Sequence, residues 1–172
     1  NMSELLEKNR SELVALCHRE AGKTINDSID EIREAVDFCR YYAGQARELL
    51  QEAATLLGPT GESNELYLSG RGVFLCISPW NFPLAIFLGQ IVAALVSGNT
   101  VIAKPAEQTS LMAGKVVEYM LEAGFPKGVI QLLPGDGASL GKQLLKDHRI
   151  AGVAFTGSTE TAHVINVSLA QR

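Results

Sequence analysis

The chain has 172 residues, 47% hydrophobic and 20% charged, proportions of an ordinary globular domain, or one domain plus an arm, and too apolar for disorder throughout. Fifteen Lys and Arg against nineteen Asp and Glu leave a net charge of −4, without the clustered basic excess of a nucleic-acid partner. No apolar run nears the ~18–20 uncharged residues of a membrane span; the longest, Ile91–Val96, is far shorter. The N-terminus lacks a basic-then-apolar signal layout, and Cys17, Cys39 and Cys76 match neither a disulfide framework nor a metal site. His18, His148 and His163 likewise have no ligand spacing. A reducing, cytoplasmic setting without a bound metal is therefore expected.

Helix formers dominate before Gly58, where Gly22 and Gly44 are the only glycines and proline is absent. Ser3–Glu20 reads as one helix, stopped near Gly22. A second begins around Asn26–Ser28, where Ser28 and Glu31 fit a capping box. Its apolar positions, Ile29, Ile32, Val36, Cys39, Ala43, Ala46 and Leu50, step by three and four along one helical face of about six turns. Residues 1–57 are thus predicted to form a helical pair.

From Gly58 onward come fourteen of the sixteen glycines and all six prolines, punctuating short apolar runs. Leu66–Ser69, Val73–Ser78, Val101–Lys104, Val129–Leu133 and Val153–Thr156 read as strands. Ala85–Ser97, Ser110–Ala123, Ser139–Asp147 and Thr159–Ala170 read as helices between and after them. Uniformly apolar strands alternating with helices predict a Rossmann-like α/β domain over residues 58–172, a parallel sheet with helices on both faces. Such sheets bind ligands beyond the C-terminal ends of their strands, which is where chemistry is to be sought.

After Ser78 comes Pro79-Trp80-Asn81-Phe82-Pro83. Spacing alone favours a rigid turn with Trp80 packed on the core over the alternative, a loop that presents the Asn81 amide to a developing oxyanion. After Val101–Lys104 comes Pro105-Ala106-Glu107, which brings a cation and a carboxylate together. They suit the hydroxyls of a ribose, or a solvated ion pair. Pro134-Gly135-Asp136-Gly137-Ala138-Ser139-Leu140-Gly141 misses the dinucleotide glycine fingerprint by one residue and formally satisfies G-x-S-x-G. A nucleophile elbow needs its serine at the strand-to-helix turn, whereas Ser139 lies six residues past Leu133 and is better read as a helix cap. Finally, Phe155-Thr156-Gly157-Ser158-Thr159-Glu160 opens a helix, either as an ordinary cap or as an anion site suited to pyrophosphate.

Taken in order and spacing, Ile77–Pro83, Lys104–Thr109 and Phe155–Glu160 resemble the aldehyde dehydrogenase superfamily, and the resemblance covers essentially the whole chain. The stretches Glu34–Tyr42 and Leu132–Gly137 are most similar to its Δ1-pyrroline-5-carboxylate (glutamate semialdehyde) dehydrogenase branch, as in the dehydrogenase module of bacterial proline utilization A. The resemblance implies NAD as cofactor and Asn81 as the oxyanion-hole amide. It implies that Lys104 and Glu107 contact the adenosine ribose and that Gly137 and Gly141 lie near the adenine. Ser158 then sits at the pyrophosphate, Phe155, Thr156 and Gly157 toward the nicotinamide, and Ile77, Ser78, Pro79 and Trp80 along the cofactor.

In that family a cysteine attacks the aldehyde and a glutamate activates the water that releases the acid, both downstream of the Ser158 motif. The chain is therefore expected to be a cofactor-binding fragment without its catalytic centre, and inactive alone. Its expected partners are an aldehyde, the remaining catalytic portion of the polypeptide, a covalently linked FAD-dependent proline dehydrogenase domain, and further copies in an oligomer. The competing readings are a serine hydrolase using Ser139 and a non-catalytic binding or assembly module.

Overall fold

The computed structural model describes residues 1–172. The N-terminal layer contains α1 (Met2–Lys8), α2 (Arg10–Ala21) and α3 (Ile25–Leu49). The single helix expected over Ser3–Glu20 is broken at Asn9. There the side-chain amide donates to the Leu5 carbonyl at 2.9 Å, and the carbonyl accepts from Glu12 N–H. An Asn that satisfies backbone groups with its own side chain competes with continuous helix. Gly22 ends α2 in the left-handed conformation (φ 66°), as its position predicts.

Ser28 and Glu31 do not form the expected capping box. Thr24 caps α3 one turn earlier, its hydroxyl oxygen accepting from Asp27 N–H at 3.1 Å. Ser28 is buried and donates to the Thr24 carbonyl at 2.7 Å. The apolar stripe of α3 does face the core, but Glu31 lies fully buried within it.

Residues 54–66 form a separate antiparallel hairpin, β1 (Ala54–Leu56) with β2 (Asn64–Leu66), pairing Ala54 with Leu66. The strand expected at Leu66–Ser69 is thus displaced toward the N-terminus and lies outside the main sheet. Its partner β1, three residues long, is too short to stand out by periodicity.

The main sheet is built from β3 (Val73–Ile77), α4 (Ala85–Val96), β4 (Thr100–Lys104), α5 (Ser110–Glu122), β5 (Ile130–Leu132), α6 (Gly137–Leu144), β6 (Ile150–Phe155) and α7 (Thr159–Ala170). Its four strands run parallel in the order β5-β4-β3-β6. The chain starts at β3, winds outward to β5, then crosses to the other side of β3. A crevice opens at such a reversal, between the ends of β3 and β6. No helix is long and apolar enough to cross a membrane.

The sheet's faces are unequal. Phe74, Cys76, Val101 and Ala103 point into a core of 23 buried residues shared with α1–α5, whereas Leu75 on the other face joins a cluster of only four, with Leu145, Ile150 and Ile165. The thinner side, under α6 and α7, leaves room for a ligand.

Two carboxylates fasten the N-terminal layer to the sheet helices. Glu20 of α2 accepts from Leu111 and Met112 N–H at 2.9 and 2.7 Å, at the start of α5. Glu31 of α3 accepts from Leu84 and Ala85 N–H at 2.8 and 3.1 Å, at the start of α4. Each places a negative charge on orphan N–H groups at the positive end of a helix.

Candidate cofactor site

The site is assembled at the C-terminal edge of the sheet. β3 ends beside β4 and β6, with Ser78 N–H donating to the Lys104 carbonyl at 3.2 Å and Thr156 N–H to the Ile77 carbonyl at 3.1 Å. Three chemistry-bearing segments that are far apart in sequence therefore leave the sheet side by side.

Lys104, the last residue of β4, is only 6% exposed. Its ammonium donates to Glu107 Oε1 at 2.9 Å and to the Pro105 carbonyl at 3.0 Å. The Glu107 carboxylate also accepts from Gly137 N–H at 2.8 Å, tying β4 to the first residue of α6. The Lys104 hydrogen bond is the main cause holding the Glu107 carboxyl below its ordinary range, assisted by nearby backbone donors and opposed by burial. A depressed carboxylate is ionised above its ordinary value and loses its charge only as pH falls through the lower one, so Glu107 is anionic at neutral pH.

Lys104, Glu107, Gly137 and Gly141 share one cleft of about 560 Å³ with Ile77 and the first turns of α7. The residues present fit the adenosine end of a dinucleotide. Glu107 Oε2 makes no hydrogen bond and remains an open acceptor beside the buried ammonium. A side chain at Gly137 would begin 3.5 Å from Lys104 Nζ, and one at Gly141 would project into open space, so both glycines keep the cradle clear. A larger cleft of about 770 Å³ lies at the opposite, N-terminal edge of the sheet, between Met2, Tyr42, Gly98 and Phe125, and contains none of the strand-end residues.

Ser158 caps α7, its hydroxyl oxygen accepting from Thr161 N–H at 3.2 Å. The neighbouring Glu160 carboxyl is held low by backbone and Ser158 hydrogen bonds, so the helix terminus already has one negative charge close by. At Gly157 a Cβ would meet the Phe155 ring at 2.6 Å, so a side chain there would have to displace that ring. Ser78 is buried and its hydroxyl has no partner, an unsatisfied polar atom where the chain leaves β3.

Asn81 stands in the turn after β3, between Pro79 and Pro83, exposed and with no hydrogen bond from its side-chain amide. Its carbonyl is held by the Lys23 ammonium at 3.1 Å. Trp80 is 52% exposed, which corrects the expectation that it packs on the core. Asn81, Trp80 and Pro79 thus lie outside the Lys104–Glu107 cleft, at the neighbouring strand end.

Ser139 is not a helix cap. Asp136 caps α6, accepting from Ser139 N–H at 2.7 Å, so the helix begins earlier than expected and Ser139 lies inside its first turn. The Ser139 hydroxyl donates to the Asp136 carbonyl at 3.4 Å and has no histidine to activate it, so the geometry gives the hydrolase reading no support. Burial pushes the Cys17 and Cys76 thiols up to about 12 and that of Cys39 to about 11, which leaves them inert core residues.

Sequence reasoning missed Lys23 and Glu31, which hold the Asn81 turn, and Gln90, which donates to the Thr156 hydroxyl at 3.0 Å and so links α4 to β6. One signal was visible for Glu31: a charged residue on the inward face of a long amphipathic helix has a buried partner to find.

The chain matches the aldehyde dehydrogenase family over residues 1–172 and belongs to that family. It is 52% identical over 169 residues to the bifunctional protein PutA of Salmonella typhimurium, covering 98% of this chain and 12% of that protein. The 1-pyrroline-5-carboxylate dehydrogenase of Bacillus subtilis is 42% identical over 154 residues, 90% of this chain and 30% of that enzyme. Among solved structures, a Bradyrhizobium japonicum proline utilization A variant superposes with a TM-score of 0.96 at 54% identity, over 99% of this chain and 18% of that one. PnpE in complex with nicotinamide adenine dinucleotide gives 0.90 at 34% identity, over 97% and 34%. The chain therefore spans about an eighth of the PutA relative's length.

Proposed function

We propose that this chain is the cofactor-binding portion of an NAD-dependent aldehyde dehydrogenase that oxidises L-glutamate γ-semialdehyde, formed from Δ1-pyrroline-5-carboxylate, to glutamate in proline catabolism. The observation that carries this reading is the Lys104–Glu107–Gly137 cradle at the strand ends of a chain so similar to PutA and 1-pyrroline-5-carboxylate dehydrogenase. Residues 58–172 are the partial NAD-binding domain, with the helices of residues 1–57 packed behind it.

In this reading Glu107 accepts from the ribose hydroxyls and Lys104 donates to them, while Gly137 and Gly141 leave space for the adenine. Ser158 and the start of α7 lie toward the pyrophosphate, with Ile77–Trp80 and Phe155–Gly157 along the nicotinamide half. Bound NAD supplies the hydride acceptor. Asn81 donates its neutral amide N–H to the oxyanion that forms when a thiolate attacks the aldehyde carbon. The thiolate and the water-activating glutamate come from other parts of the polypeptide, as does an FAD-dependent proline dehydrogenase domain. The complete enzyme is an oligomer of a reducing, cytoplasmic compartment.

The test is NADH formation by the enzyme expressed from the complete reading frame, assayed with Δ1-pyrroline-5-carboxylate and with simple aliphatic aldehydes. The first is expected to give the higher kcat/KM. Equal or lower turnover of it removes the substrate assignment.

Cofactor choice provides a second check. Glu107 is anionic and close to the proposed ribose, so a 2′-phosphate there would meet a like charge, whereas a hydroxyl gains a charge-assisted bond. NAD is expected to exceed NADP in kcat/KM by about tenfold or more, equivalent to at least ~1.4 kcal/mol. Equal use of both would show that Glu107 faces away from the ribose.

A further inference from the structure

Asn81 rides on a turn with no helix or strand of its own, spanning the gap between β3 and α4. Prolines stiffen its backbone but do not fix where it sits relative to the sheet. The structure shows two groups from outside that do. Lys23, just after the left-handed Gly22 that ends α2, reaches across and donates to the Asn81 carbonyl at 3.1 Å. The same ammonium pairs with Glu31 Oε2 at 2.7 Å and lies 4.0 Å from the centroid of the Phe82 ring. It therefore meets a carboxylate, a carbonyl and an aromatic face at once, with its side chain only 11% exposed.

Glu31 completes the arrangement from below. Its side chain is fully buried, with Oε2 on Lys23 and Oε1 on the N–H groups of Leu84 and Ala85, where the turn becomes α4. Glu31 thus grips the end of the turn directly and its centre through Lys23. A charge pair this well buried is costly to desolvate and is a weak source of stability. Its geometry suits a different use, the holding of one peptide at one place.

We propose that Lys23 and Glu31 are positioning residues for Asn81, fixing the peptide from which its amide projects so that the donor is aimed before the reaction begins. The inference rests on the reading of Asn81 as oxyanion donor. Preorganised donors are effective only when placed to within a fraction of an ångström, and small displacements from distant changes cost rate rather than binding. Lys23 and Glu31 lie outside the Lys104–Glu107 cleft, so loosening them should spare the adenosine end of the cofactor.

The experiment is a mutant cycle in the enzyme expressed from the complete reading frame: Lys23→Met, Asn81→Ala, the double variant, and Glu31→Gln in place of Lys23→Met. Each is measured for kcat and for the dissociation constant of NAD. Lys23→Met is expected to lower kcat by about tenfold with NAD binding nearly unchanged. It should cause no further loss in the Asn81→Ala background, because there is no amide left to aim. Glu31→Gln keeps the side chain's shape and an acceptor for Leu84 and Ala85 but loses the charge that holds Lys23. It should follow the same pattern, and it decides the matter if Lys23→Met does not fold. If Asn81→Ala lowers kcat but neither partner variant does, or if their losses are equal in both backgrounds, the positioning role is wrong. If Asn81→Ala itself leaves kcat intact, the oxyanion reading fails first and takes the positioning role with it.

Discussion

Asn81→Ala in the complete enzyme is expected to lower kcat by ~10²–10³, about 2.7–4 kcal/mol of transition-state stabilisation. Attack on an aldehyde turns a weakly polar carbonyl oxygen into an anion, and donors already in place serve that charge without being reorganised. Asn81 meets the structural requirement: its amide makes no hydrogen bond within the protein, while its own carbonyl is tied to Lys23 and its turn is bounded by two prolines. A neutral amide binds the ground-state aldehyde only weakly, so its benefit falls on the transition state and its loss on kcat. NAD affinity should change little, since the proposed ribose contacts, Lys104 and Glu107, lie in a cleft that Asn81 does not line. Steady-state kinetics with a separate NAD titration would check this. A collapse of NAD binding with chemistry preserved per bound cofactor would make Asn81 a turn residue and no more.

Lys104→Ala should give the opposite signature. Its ammonium is nearly buried and is the principal partner of Glu107, so the substitution removes a charged donor and also loosens the carboxylate. A hydrogen bond involving a charged group contributes about 1.5–3 kcal/mol, which corresponds to roughly a 10–100-fold rise in the NAD dissociation constant. At saturating NAD, kcat should stay close to that of the unaltered enzyme, because Lys104 touches no reacting atom in this scheme. The Glu107 carboxyl, freed of its cation, should titrate nearer its ordinary value, so NAD binding by the variant should weaken at a higher pH than in the parent as acid is added. Calorimetric titration across neutral to mildly acidic pH would measure both effects. An unchanged dissociation constant with reduced kcat would move Lys104 out of the ribose site.

Much of this architecture is decided by neighbours in the chain. The apolar runs that became β3, β4 and β6, the stripe along α3, the left-handed Gly22 and the Ser158 cap all depend on residues within about four positions of one another. The Lys104–Glu107 pair is of the same kind, since one turn of chain after a strand brings the two together. The resemblance carried by these strand-end motifs was therefore readable without a fold. Other features required the folded sheet. Gly137 reaches Glu107 across thirty residues, and Glu31 reaches Leu84 across fifty-three. Neither partner carries a local mark of the other, because a buried carboxylate is satisfied by whichever N–H groups the packing delivers. The break at Asn9, where a side chain donates, and the caps at Thr24 and Asp136, where one accepts, were decided by small competitions for backbone hydrogen bonds, each worth about a kilocalorie per mole. Sequence periodicity is too coarse to resolve differences of that size. Only the placement of α2 and α3 against the β3–α4 turn brings Lys23 to Asn81 and Glu31 to Leu84 and Ala85, because a backbone carbonyl and two N–H groups, which all residues but proline offer alike, are what they recognise.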